Sequence, residues 1–258
     1  MYDLHCHILP GVDDGSKSIE ESIKMAKLAV SEGITHILVT PHHQKQDWIN
    51  EKETVVQRVN NLQAELDDRN IDLTLFPGQE VSLYGDLLED IEKDKILYTD
   101  EGNTYILVEF PTGVIPHYAE RLFYELQSKG KTPIIVHPER NHAIIEHPNR
   151  LKNLIDKGAL AQLTAASYTG KFGKKIEKLS KQLIEANLVH FIASDAHNST
   201  NRKFHMKKAY EKLLKEYGRS KRNEFHQTTK DLLNGEPIIV PDAQYIQRGT
   251  LSKLLKRK

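Results

Sequence analysis

The chain carries several short runs that are largely apolar and rich in β-branched residues: HILVT (36–40), LTLFPGQEV (73–81), YILVEF (105–110), PIIVH (133–137) and HFIASDAH (190–197). Strands with few polar positions belong to a parallel sheet covered on both faces. The intervening stretches follow a helical period. Ser18-Ile19-Glu20-Glu21 is a capping box, Ile19, Ile23, Ala26 and Val30 repeat at helical spacing, and Gly33 supplies a stop. Further helices are expected over 51–69, 117–129, 147–157, 173–186 and 203–217. Strand alternating with helix over most of the chain defines an α/β fold, and 258 residues suit one closed barrel better than two domains.

Composition removes several function classes. Lys plus Arg and Asp plus Glu stand at 36 each, so no net charge draws the chain to nucleic acid. No apolar run approaches the roughly 20 residues that span a bilayer. The first residues read as a strand, without a basic and then apolar leader, so no secretory signal is expected. A lone cysteine, Cys6, fits a reducing compartment, and a cytoplasmic location is expected. Residues 236–258 lack a clear period and end in the basic RGTLSKLLKRK. Two readings of that extension stay open: a solvated tail, or a weak contact with an anionic membrane surface or acidic partner.

The chemistry starts in DLHCHILPGVDDG (3–15). Alternate side chains of a strand share a face, so His5 and His7 form a two-pronged clamp while Cys6 turns away as a small hydrophobe. His42, Glu80, Glu109, His137, Asp195 and His197 fall at or near the ends of later strands, and Asp14 lies in the first strand-to-helix loop. In a parallel barrel those ends converge on one rim. Imidazoles and carboxylates without thiolates suit Mn, Fe, Zn, Mg or Co. The set exceeds what one ion takes from protein, so two or three ions are expected, a grouping suited to displacement at phosphorus. Asp13 and His43 adjoin the set as candidates to support it, although an exposed loop position stays open for His43. Arg140 and Arg202 follow closely after His137 and His197 and are candidate phosphate forks. His36, His117, His142, His147, His190, His205 and His226 are left as structural or surface residues.

Taken in order, DLHCHILPGVDDG, TPHH, PGQE, VEFP, HPERN and SDAHN resemble the polymerase-and-histidinol-phosphatase (PHP) superfamily. More narrowly, they resemble its manganese-dependent protein-tyrosine phosphatases of the Gram-positive capsule and exopolysaccharide type. The resemblance implies a distorted (β/α)7 barrel over residues 1–235, with 236–258 as an extension, and a metal centre at the C-terminal ends of the strands. It implies His5, His7, Asp14, His42, Glu80, Glu109, His137, Asp195 and His197 as metal ligands, and Arg140 and Arg202 as phosphate contacts. Its substrate would be phosphotyrosine on a bacterial tyrosine kinase that regulates capsule or exopolysaccharide synthesis. Attack would come from a metal-bound hydroxide. A cysteine mechanism needs Arg six positions after Cys, and Val12 stands there. A histidinol-phosphate phosphatase, another phosphoesterase or amide hydrolase on a related barrel, and a non-catalytic module that sequesters a phosphotyrosine tail remain as alternatives.

Overall fold

A computed structural model of the chain describes residues 1–247, so the basic end of the extension lies outside the described residues. In chain order the elements are β1 (Tyr2–Cys6), α1 (Ile19–Ser31), β2 (His36–Val39), β3 (His42–His43), α2 (Lys52–Asp68), β4 (Thr74–Pro77) and β5 (Glu80–Ser82). Then come α3 (Leu87–Glu92), β6 (Tyr105–Glu109), α4 (Ala119–Ser128), β7 (Thr132–Val136), α5 (His142–Glu146), α6 (Asn149–Ile155) and β8 (Leu160–Thr164). The chain closes with α7 (Ala165–Tyr168), α8 (Lys174–Glu185), β9 (Phe191–Ala193) and α9 (Met206–Leu233).

Every pairing between these strands is parallel, and the ladders fall into two sheets, β1-β2-β4 and β3-β5-β6-β7-β8-β9. Two local features make the break. Pro41 has no N–H to donate between β2 and β3. Gly78, between β4 and β5, sits so close to Leu38 that a Cβ would lie 2.8 Å from its Cγ. The run 73–81 is therefore two strands that pair in different sheets. The sheets meet again where Cys6 bridges Ala196 in parallel, with His7 N donating to Ala196 O (2.8 Å) and Asp195 N to His5 O (2.8 Å).

Strand alternation divides the core. Leu4, Leu38, Tyr105, Leu107, Ile134, Val136, Phe191 and Ala193 form one cluster drawn from both sheets, joined by Leu232 of α9. Their neighbours Ile37, Val39, Ile106, Val108, Ile135 and Ile192 pack into the larger cluster with the helices. Burial on both faces is why these strands read as continuous apolar runs.

The capping box at α1 is half formed. Ser18 Oγ accepts from Glu21 N (3.3 Å), but the Glu21 carboxylate accepts instead from Ser199 N (2.7 Å), tying α1 to the loop that carries Arg202. Past the sequence-read limit of 217, α9 continues to Leu233 through a kink at Gly218. The described part of the extension lies against the helices: Gln244 N donates to Ala186 O (2.8 Å), and Ile246 N to Asn149 Oδ1 (2.9 Å). Among the described residues no helix is long and apolar enough to cross a membrane.

Candidate metal centre

The C-terminal ends of the strands bring the sequence-read ligands together. Register sets His42 of β3 directly opposite Glu80 of β5, and Ser82 opposite Glu109 of β6. Three overlapping groups result: His7, Asp14, His42 and His197; His5, His7 and Glu80; and His42, Glu80 and Glu109. His137 reaches Glu80 Oε1 at 2.7 Å, and Asp195 Oδ1 lies 3.4 to 3.5 Å from His5, His7 and His197. All nine residues proposed from sequence therefore converge, and only Asp14 among their side chains is markedly exposed. His137 (φ 36) and Asp195 (φ 52) hold left-handed backbone conformations, which cost non-glycine residues free energy and gather at functional sites.

Outer hydrogen bonds fix the histidine tautomers. His7 Nδ1 donates to Asp13 Oδ2 (2.7 Å), because a carboxylate only accepts. Asp13 also accepts from Gly15 N and His42 N, which ties the first strand-to-helix loop to the cluster. His5 Nδ1 donates to Gln162 Oε1 (3.0 Å), whose amide is oriented by its own bond to Leu163 O. His197 Nδ1 donates to the Asp195 carbonyl (3.0 Å). Each of these three rings therefore turns an Nε2 lone pair inward when neutral, the arrangement by which outer partners prepare imidazole ligands.

The inward atoms fit a bound cation. Asp14 Oδ1, His42 Nδ1, Glu80 Oε2 and His197 Nε2 are buried without a hydrogen-bond partner in the protein. His42 Nδ1 and Glu80 Oε2 approach to 2.7 Å without hydrogen-bond alignment, and His5 Nε2 faces His7 Nε2 at 3.1 Å. Such contacts need positive charge between them. Proton affinities say the same. Burial opposes charge on His7 and His42, yet the carboxylates around them, Asp13 for His7 and Glu80 for His42, raise both pKa values. Burial likewise opposes ionisation of Asp195 and Glu80, and the cations and histidines around them lower both well below the carboxylate range. Burial and Arg140 hold His137 down to about 3, and burial and His7 hold His197 at about 4, leaving both neutral as ligands must be.

Arg140 and Arg202 line the pocket above these groups, alongside Phe110, Thr112 and Pro138. Arg140 Nη2 pairs with Asp195 Oδ2 at 2.6 Å, while its Nε is buried without an acceptor. Arg202 spans Asp14 and Asp195, each at 3.3 Å. His43 is the exception among the candidates. Alternation along β3 turns it from the cluster, against Tyr84, with neither ring nitrogen hydrogen-bonded. It is buried and not in an exposed loop. Three neighbours of the site escaped the sequence reading: Gln162, Lys45 and Trp48, whose ring stacks on His42 at 5.4 Å. Lys45, three residues past His42, was the legible one; Gln162 lies on the unread strand β8.

Comparison with known proteins agrees with this geometry. The chain is 43% identical over 251 residues to the tyrosine-protein phosphatase YwqE of Bacillus subtilis, covering 97% of this chain and 98% of that one. It is 46% identical over 218 residues to a putative tyrosine-protein phosphatase CapC of Staphylococcus aureus, covering 84% and 85%. Among solved structures, one from work on YwqE of Bacillus subtilis and CpsB of Streptococcus pneumoniae, described as metal-dependent tyrosine phosphatases, superposes with a TM-score of 0.93 at 43% identity. That match covers 96% of this chain and 100% of the other. An organophosphorus hydrolase shares the fold alone, at TM-score 0.58 and 10% identity over 90% of this chain and 92% of its own. The family described as capsular polysaccharide synthesis, CpsB/CapC, matches residues 1–234, and the chain belongs to it.

Proposed function

We propose that the chain is a metal-dependent protein-tyrosine phosphatase that removes phosphate from a bacterial tyrosine kinase controlling capsule or exopolysaccharide synthesis. One observation carries the reading: buried, unpartnered ligand atoms converge directly beneath two arginines in one pocket. His5, His7, Asp14, His42, Glu80, Glu109, His137, Asp195 and His197 would hold two or three ions, manganese by preference, with Fe, Zn, Mg or Co as substitutes. Bound there, divalent ions supply Lewis acidity and a water of lowered pKa.

The chain's own residues do the rest. Arg140 and Arg202, which both line the pocket, offer their planar guanidinium N–H groups to phosphoryl oxygens as charge redistributes. Phe110 and Pro138 give the pocket an apolar wall for the phenyl ring. The phenolate leaving group, whose conjugate acid has a pKa of about 10, departs without a dedicated acid. Cys6 is a poor nucleophile: it is fully buried, and burial pushes its thiol pKa well up. The same reading takes residues 1–235 as one barrel, counting β2 with β3 and β4 with β5 as interrupted strands. The Cys6–Ala196 bridge supports that closure.

Arg140→Lys tests the assignment. Metal content should stay at the wild-type level while kcat/KM on a phosphotyrosine peptide falls roughly 100-fold. A variant as fast as wild type removes Arg140 from phosphate binding.

A further inference from the structure

Lys45 has no part in the scheme above, yet its ammonium reaches into the ligand cluster. Nζ lies 3.0 Å from His42 Nε2 and 2.8 Å from Glu109 Oε1, on a side chain that is 30% exposed. It is held there by a tight loop: Gln44 (φ 58) and Gln46 (φ 51) are left-handed, and Lys45 and Trp48 exchange backbone hydrogen bonds in both directions. Trp48 in turn stacks on His42.

An ammonium only donates, so His42 Nε2 accepts and presents its lone pair to Lys45. A neutral imidazole has one lone pair. A metal on Nε2, beside Asp14 and His197, would take that lone pair directly. A metal on Nδ1, beside Glu80 and Glu109, would leave the proton on Nε2 facing the ammonium. Either mode of coordination breaks the Lys45–His42 bond. Glu109 differs, since Oε1 can keep Lys45 while Oε2 faces His42.

We propose that Lys45 is a displaceable internal cation that competes with the metal for His42. It neutralises the carboxylate cluster in metal-free protein and is ejected when the ion at His42 is bound. On ejection the lysine stays tethered to Glu109 in the same pocket as Arg140 and Arg202. This inference rests on the metal-centre reading, and its test separates the two.

Chelator-stripped wild type, Lys45→Met and Lys131→Met would be titrated with Mn2+ by calorimetry, and their thermal midpoints compared without metal. Lys131 bonds Asn103 O in an exposed setting and controls for the loss of one positive charge. Losing a charge-assisted competitor should tighten one Mn2+ site about tenfold in Lys45→Met. The stripped Lys45→Met protein should also melt below stripped wild type, while Lys131→Met changes neither quantity. Equal or weaker Mn2+ affinity in Lys45→Met overturns the competition while leaving the metal centre intact. A wild type that binds no Mn2+ overturns both.

Discussion

At the residue scale, the site depends on atoms that never touch an ion. Asp13 and Gln162 pin the Nδ1 protons of His7 and His5 and so fix which nitrogen faces inward. Asp13→Ala and Gln162→Leu should each weaken metal affinity roughly 10- to 100-fold, read by titration of stripped protein; an unchanged Kd contradicts the orienting role. Gly15 is under a harder constraint, because a Cβ there would sit 2.2 Å from the His7 carbonyl oxygen. Gly15→Ala should cost about 1–3 kcal/mol and shift the loop bearing Asp13 and Asp14, visible as a lower melting point together with lost metal. That the candidate ligands would meet was legible because strand ends in a parallel α/β fold converge, and most of these residues stand at or near such ends. Gln162 was not, since a glutamine in ALAQLT carries no mark of the histidine it faces.

Among elements, the helices read from periodicity recur within a few residues except at the far end of α9, whereas the break within 73–81 did not show. LTLFPGQEV looks continuous because apolar pattern reports burial, and Leu73 and Leu75 before the break and Val81 after it are all buried. α9 shows the opposite error. The helix expected over 203–217 does not end there: at Gly218 the chain passes through φ 81 and ψ −179 and the helix resumes. That conformation is almost restricted to glycine, so Gly218→Ala should lose about 1–3 kcal/mol in denaturant unfolding with metal content unchanged. His190, just before β9, gives a pH signature. It is buried, Nδ1 accepts from Ala161 N (3.0 Å), and burial holds its pKa at about 4. The unfolded chain, with an imidazole near 6.5, takes up the proton first as pH falls, so stability is lost from about pH 6.5 down to about 4. By pH 5 this amounts to on the order of 2 kcal/mol. His190→Asn keeps an acceptor for Ala161 N without a titrating ring, and should flatten the fall in melting point of stripped protein over that range. An equally steep fall in the variant assigns it to other groups.

For the whole molecule, the metal centre joins what the chain keeps apart. Its candidate ligands come from both sheets and from residues 5 to 197, so ions bound there should stabilise the fold as well as the chemistry. Chelation should lower the melting point, and Mn2+ should restore it in a concentration-dependent way; a midpoint indifferent to metal would mean that the ligands do not bind it. The substrate is the finer question, because metal clusters of this kind serve many phosphate esters. The most direct measurement is phosphate release from a phosphotyrosine peptide and from histidinol phosphate, side by side, using stripped protein with and without Mn2+. Turnover that requires Mn2+ and favours the peptide is the predicted result. Undiminished turnover in chelator, preference for histidinol phosphate, or metal-bound protein that turns over neither would contradict it.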